Sequence, residues 1–325
     1  MMQGLAERFE RAAASAPPLR FVDVALRGLG QVMFQDNPLT GLLFLAAIVW
    51  GAVATGQLFV AAAGVLALVV ATATALALGV DRAAWRAGLY GFNGVLTGLA
   101  LATFLTPGPG LIVFVVLGAA LSVVATLATT RWLAPHSIPG LTFPFVVTTW
   151  LFLLASHGFA GVSGLSAGTV TAPAVIVASD PLRVADFVAG VALSISQVFL
   201  KDSLVAALLF LAGLAVSSVS AALLAIAGAI IAVVVAHLFG AESDLVTGGL
   251  LGFSPVLTAV ALGTVFVPPS PRSLAIAALA TLVTVIAQAA LNAALAPVAL
   301  PAMTMPFVLV TWLFLLARPA EAAKG

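Results

Sequence analysis

Long apolar runs fill this chain, broken by glycine, proline and short clusters of charge. Cutting the runs at those breaks gives ten spans, at about 38–56, 58–80, 83–105, 110–133, 143–157, 203–218, 219–240, 243–266, 273–296 and 303–318. Several approach the ~20 residues that an apolar helix needs to cross a bilayer. The run 204–236 has room for one helix, a turn and a second helix. Strands of a membrane barrel would alternate polar and apolar positions over roughly ten residues. These runs do not, so the pattern predicts an all-α polytopic membrane protein. A shorter, more polar stretch precedes each group of five, Leu19–Phe34 and Leu182–Leu200, and each reads as a short helix.

The two groups are copies of each other. LTFPFVVTTWLFLLA at 141–155 faces MTMPFVLVTWLFLLA at 303–317, with 11 matches in 15 positions. GFNGVLTGLAL at 91–101 faces GFSPVLTAVAL at 252–262, with 7 matches in 11. QVMFQDNPLTGLLFLA from Gln31 aligns with QVFLKDSLVAALLFLA from Gln197, pairing Asp36 with Asp202 and Phe44 with Phe210. All three matches keep one order, so the duplication covers nearly the whole chain. Five spans is an odd number. The second copy therefore enters the membrane from the opposite side, which makes an inverted repeat.

Charge placement agrees with that topology. With the N-terminus inside and the two polar stretches re-entrant, Arg8, Arg11, Arg20, Arg82, Arg86, Arg131, Arg272, Arg318 and Lys324 fall on the cytoplasmic side. The loop from His157 to Asp180 falls outside and holds no Lys or Arg, as the positive-inside rule requires. Arg27, Arg183 and Lys201 belong to the re-entrant elements or their ends. The N-terminal segment lacks the basic-then-apolar order of a cleavable signal peptide.

Composition sharpens the class. The chain has 325 residues, 63% hydrophobic and 7% charged, with a mean hydropathy of +1.25. A soluble domain carries about 25% charged residues. A net charge of +1 offers no basic face for nucleic acid, and the absence of cysteine excludes disulfides, thiolate metal sites and cysteine nucleophiles.

Little in the spans suggests catalysis or ion coupling. His136, His157 and His237 sit at span ends and do not recur between copies. No acidic pair or nucleophile–base pair lies within a span, so an enzyme is not expected. Intramembrane charges normally mark ion or proton paths, and the spans are almost free of them. Asp36 and Asp202 read as carboxylates capping the N-terminus of the following span.

The recurring polar residues are neutral: Gln31 with Gln197, Thr97 with Thr258, Thr142 with Thr304, Thr149 with Thr311. A threonine hydroxyl bonding back to its own helix is the plain alternative, and it fits Thr97, Thr258, Thr149 and Thr311 best. Thr142 and Thr304 differ, because each opens a span in a Thr-x-Pro sequence, where proline is expected to leave a carbonyl without its helical partner. Phe92 and Leu96 share a helix face, as do Phe253 and Leu257. Two such pairs near a pseudo-twofold axis would wall a flat slot that suits a planar solute better than a hydrated ion. The mismatched pairs Asn93/Ser254 and Gly94/Pro255 suggest no role.

At GLYGFNGVLTGLALATF, LTFPFVVTTWLFLLA and their second copies, together with GQVMFQDNPLTG and ISQVFLKDS, the sequence resembles the urea transporter family along essentially its whole length. The resemblance implies two inverted repeats of five transmembrane helices, each with a re-entrant pore helix, in a homotrimer with one pore per subunit. It implies aromatic slots at Phe92 and Phe253 beside Leu96 and Leu257, and mid-pore threonines at Thr142 and Thr304. It places pore-helix positions at Gln31 and Gln197, then Val32 and Val198, with Phe34 and Leu200 close by. Some bacterial members carry Glu where this chain has Gln197.

The expected organisation is a cytoplasmic segment 1–18, a first repeat 19–157, an extracytoplasmic linker 158–180, a second repeat 181–318 and a cytoplasmic tail 319–325. The expected activity is passive diffusion of urea across a bacterial inner membrane, with lipid as surroundings, no cofactor and no metal. A pore for ammonia or a short amide, an ion-coupled transporter and a non-transport scaffold are the rivals.

Overall fold

The computed structural model describes residues 16–162, 164 and 180–318. Most of the expected N-terminal segment, much of the linker and the whole tail 319–325 lie outside the described residues. Among these residues the regular secondary structure is helical, joined by turns and short irregular segments, apart from one isolated bridge between Leu105 and Gly164.

In chain order the helices are α1 Pro17–Gln31, α2 Pro38–Ala54, α3 Leu58–Ala77, α4 Arg82–Arg86, α5 Gly91–Phe104, α6 Pro109–Leu133 and α7 Phe143–Ser156, then α8 Val184–Ser196, α9 Leu204–Ser217, α10 Val219–Leu238, α11 Ser243–Thr247, α12 Phe253–Val260, α13 Pro271–Leu295 and α14 Met305–Leu316. Every expected span has its helix. Leu58–Ala77, Pro109–His136, Val219–Leu238 and Pro271–Val298 are long and apolar enough to cross a membrane, and Pro38–Ala54, Gly91–Phe104, Phe143–Ser156, Phe253–Val265 and Met305–Leu316 are shorter apolar helices.

The third and eighth spans differ from expectation, since each breaks into a five-residue helix and a longer one. The break turns on Gly88 (φ 75°) and Gly249 (φ 68°). A Cβ on Gly88 would overlap the Gly28 nitrogen of α1, and one on Gly249 would overlap the Ser194 nitrogen of α8. The short polar helix of each copy therefore lies against a turn that only glycine can make. Non-helical backbone of this kind is tolerated at membrane depth where protein buries it.

The expected caps move by one residue. Asn37, in extended conformation, caps α2 by accepting from Leu39 N at 2.9 Å, and Ser203 caps α9 by accepting from Ala206 N at 3.3 Å. Asp36 and Asp202 stand one position too early, because the cap must directly precede the first helical residue. Asp36 accepts from Arg27 instead, at 2.6 Å.

Contacts divide the chain into two compact units that draw on both sequence copies. One comprises Met1–Thr126, Pro144–Ala167 and Phe199–Ala222; the other comprises Leu127–Phe143, Gly168–Val198 and Leu223–Gly325. In the first, α2 packs on α9, its counterpart in the repeat. Phe44 meets Phe210 edge-on at 5.2 Å, and Phe199 stacks on Phe210 at 4.5 Å. Thr40, before Phe44, donates to the carbonyl of Gly213, beyond Phe210, at 2.7 Å. Gly51, beyond Phe44, lies on the stem of Lys201, before Phe210. Residues preceding one phenylalanine thus pair with residues following the other, so the two equivalent spans run antiparallel. In the second unit, Val233, Val246, Leu251 and Val285 form one apolar cluster, and Leu262, Ala277, Ala280 and Val310 form another.

Candidate functional site

In the first unit the site residues collect where α1 ends. Gly30 O accepts from Met33 N and Gln35 N, both at 3.0 Å, and Gln31 O accepts from Phe34 N at 3.0 Å. Phe34 sits at φ 64°, a left-handed position usually given to glycine. The helix end is thus wrapped tightly, and these carbonyls are occupied by the turn. Val32 is buried, and Phe34 and Gln31 are partly exposed. The Gln31 amide donates to Ala87 O at 2.8 Å, the carbonyl just before Gly88. Nε2 is therefore committed to the turn that leads into α5, and Oε1 is left as an acceptor. Beyond that turn, Phe92 is partly exposed and Leu96 fully buried. Leu200, the counterpart of Phe34, also belongs to this unit and repeats its positive φ at 53°.

Arg27 secures this region. It donates to Asp23 at 3.0 Å on its own helix, and to the Asp36 carboxylate at 2.6 Å across the Phe34 turn. Nothing in the spacing of Arg27 and Asp36 marked this pair in advance.

In the second unit Gln197 repeats the device. Its amide donates to Gly248 O at 3.3 Å, the carbonyl before Gly249. Val198 and Leu257 are buried, and Phe253 is partly exposed. Thr142 and Thr304 meet here, Oγ1 to Oγ1 at 2.6 Å, each 3% exposed. One hydroxyl donates to the other, so one hydroxyl proton and the spare lone pairs are not used by the pair. Both threonines follow a residue of positive φ, Leu141 at 51° and Met303 at 52°. Trp312 donates to Pro139 O at 2.9 Å and packs on Phe143 at 5.2 Å, beside the same turn. Its indole contact is a supporting feature that the sequence did not announce.

Two expectations about the threonines need correction. Proline does not orphan a carbonyl: Gly140 O accepts from Phe143 N at 3.2 Å, and Ala302 O from Met305 N at 3.1 Å. Pro144 and Pro306 stand in the first helical turn, where their missing N–H costs nothing, and the chain tightens to bond three residues on. The back-bonding alternative holds for Thr97 with Asn93 O at 2.8 Å and for Thr258 with Ser254 O at 3.1 Å. It fails for Thr149 and Thr311, whose buried hydroxyls find no partner among the described residues.

Asn93 and Ser254 acquire contacts that the sequence did not suggest. Asn93 Oδ1 accepts from Phe145 N at 3.2 Å, and its amide donates to Thr126 Oγ1 at 3.1 Å. Ser254 donates to Gln288 Oε1 at 2.6 Å.

A duplicated helical protein with span-length apolar helices and neutral polar residues meeting in its interior is a multi-pass membrane protein. Residues 22–319 match the family described as Urea transporter, and the chain belongs to that family. It is 29% identical to urea transporter 1 of Ovis aries over 92% of this chain and 77% of that protein. It is 28% identical to the urea transporter 1 proteins of Capra hircus and Rattus norvegicus, with the same coverage.

Proposed function

We propose that this chain carries urea passively across a membrane. Membership of the urea transporter family supports the substrate, and the hydroxyl pair Thr142–Thr304 is the structural observation that carries the reading. Urea is flat and neutral, with four N–H donors and one carbonyl acceptor. Entering hydrocarbon unsolvated costs several kcal/mol per unpaired polar group. The site residues answer that chemistry with oxygen. Oε1 of Gln31 and Gln197 accept from urea N–H groups, because their Nε2 atoms are engaged by Ala87 O and Gly248 O. Phe92 and Phe253 wall the flat solute, with Leu96 and Leu257 behind them. Val32, Phe34, Val198 and Leu200 shape the ends of the short helices. Thr142 and Thr304, having spent one proton between them, offer both an acceptor and a donor. Neutral groups bind weakly enough to release the solute, as conduction requires.

In the same reading the chain is a homotrimer in a bacterial inner membrane, with both termini cytoplasmic and two inverted repeats at 19–157 and 181–318. The family is one of transport rather than catalysis. The test is stopped-flow urea flux in proteoliposomes of the purified chain, against Thr142→Val and Gln197→Ala. Loss of one hydrogen bond of ~1 kcal/mol predicts about a fivefold fall in flux for each. Unchanged flux in both variants removes the site assignment. Flux that collapses with the Na⁺ and H⁺ gradients removes the passive mechanism. Saturation by ammonia or short amides, with no urea flux, moves the substrate.

A further inference from the structure

Among the described residues, each copy contains an amide–hydroxyl pair joining two neighbouring helices, with the roles exchanged; the second is buried and the first is buried on its Asn93 side and partly exposed at Thr126. In the first copy the amide is Asn93 on α5 and the hydroxyl Thr126 on α6, 3.1 Å apart. In the second the hydroxyl is Ser254 on α12 and the amide Gln288 on α13, 2.6 Å apart. Asn93 and Ser254 occupy equivalent positions, as do Thr126 and Gln288. Asn93, Ser254 and Gln288 are essentially inaccessible, at 0, 0 and 1%. The short side chain of one copy stands where the long one stands in the other, so the pair as a whole keeps its reach.

Both pairs also touch the turn that carries a site threonine. Asn93 Oδ1 accepts from Phe145 N, three residues after Thr142, at 3.2 Å. Ser254 Oγ lies 3.4 Å from the carbonyl of Met303, the residue before Thr304. Its single proton goes to the nearer Gln288, so the Met303 contact is the weaker branch. Gln288 is itself anchored by donating to Asn292 at 3.1 Å. A helix start beside a positive-φ residue has few backbone bonds of its own, so a buried side-chain partner fixes where it sits.

We propose that Asn93–Thr126 and Ser254–Gln288 are positioning pairs for the urea path, setting the turns that bring Thr142 and Thr304 to hydrogen-bonding distance. The proposal rests on the urea-transport reading for its effect on flux, but its geometric content stands independently. They act through the turns and are not contact residues for urea.

The absence of cysteine permits a direct readout. A T142C/T304C chain should oxidise readily to an intramolecular disulfide in proteoliposomes. Adding N93S should slow that reaction about fivefold, and adding T126Q to N93S, which installs the second copy's pair in the first, should bring it back to within twofold. Urea flux per folded channel, with native threonines, should follow the same order. A merely structural role would lower the yield and melting temperature of N93S while leaving cross-linking and flux per folded channel unchanged. Cross-linking indifferent to N93S, or a double variant no better than N93S, overturns the proposal. Should N93S not fold, S254A, which loses one oxygen, is read by the same criteria. A native chain without urea flux but with the cross-linking order intact refutes the transport reading and leaves the positioning pairs standing.

Discussion

In the first copy of the repeat, Gly98 on α5 makes room for the methyl of Ala67 on α3; in the second, Ala259 on α12 places its methyl on Gly228 of α10. The positions are equivalent, and glycine and alanine have changed sides. The polar pairs Asn93–Thr126 and Ser254–Gln288 show the same exchange. Small residues let membrane helices approach closely, and what these interfaces keep is the summed volume or reach of a pair. Around the short helices the copies part company. Asp23 and Arg27 of α1 correspond to Ala189 and Leu193 of α8, and Gln35 corresponds to the buried Lys201. An ion cluster locks the Phe34 turn, and among the described residues no equivalent cluster is found at Leu200.

The turns on which both copies agree should tolerate least. Gly88→Val puts a β-branched residue at φ 75° and a Cβ into the backbone of α1. Left-handed strain and overlap with main chain each cost ~1–3 kcal/mol, and together they approach the whole stability of a marginal protein. The expected outcome is no monodisperse protein by size-exclusion chromatography, and the same for Gly249→Val. A folded Gly88→Val would show that the turn is not fixed by α1.

Where the copies differ, one can be rewritten as the other. Arg27→Leu copies Leu193 but takes from the largely buried Asp23 carboxylate its 3.0 Å guanidinium partner, and removing one partner of a buried pair costs ~3 kcal/mol or more. Asp23→Ala with Arg27→Leu reproduces the second copy and should recover most of that loss, since Asp36 is half exposed and rehydrates. Melting of the detergent-solubilised variants reads both values. No recovery in the double variant would mean that Arg27 is needed for the turn itself, not for its partner's charge.

The packing exchange predicts a smaller, reciprocal effect. Gly98→Ala overpacks against the Ala67 methyl and also against the Ala63 carbonyl, for ~1–3 kcal/mol. Ala67→Gly added to it recreates the side-chain half of the Ala259–Gly228 arrangement and should restore part of the lost melting temperature, the remainder being the overlap with the Ala63 backbone. Additive losses would mean that the helices, and not the pair, set the spacing.

The same exchanges explain what could and could not be read from the chain. The spans and the duplication were legible because hydrophobic runs and identical residues need no partner to be recognised. Phe44 and Phe210 aligned in sequence and meet in space. Thr142 and Thr304 aligned and hydrogen bond. Asn93 and Ser254 were passed over because they mismatch, and their equivalence appears only when Thr126 and Gln288 are read with them. The left-handed residues Phe34, Leu141, Leu200 and Met303 were hidden for another reason. Sequence marks such positions by glycine, whereas here bulky side chains occupy them. The caps stand one residue beyond Asp36 and Asp202 because Asn37 and Ser203 directly precede the first helical residue, and Asp36 answers instead to Arg27, nine positions earlier in the chain.

The smallest effect tests whether the copies remain equivalent where nothing distinguishes them. Thr149 and Thr311 align, lie fully buried, and present hydroxyls that bond to no described residue. Valine has nearly the same shape without the oxygen. Removing a buried polar atom that has no partner relieves its desolvation cost, so Thr149→Val and Thr311→Val should each be neutral or stabilising by up to ~1 kcal/mol. The two should agree within a few tenths, with urea flux unchanged. Thr97→Val, which gives up a 2.8 Å bond to Asn93 O, is the internal control and should destabilise by ~1 kcal/mol. A loss of flux on Thr149→Val alone would show that one hydroxyl has a partner in transport that the other lacks. The repeat would then be functionally unequal within the span that carries Thr142, where its sequence is most nearly the same.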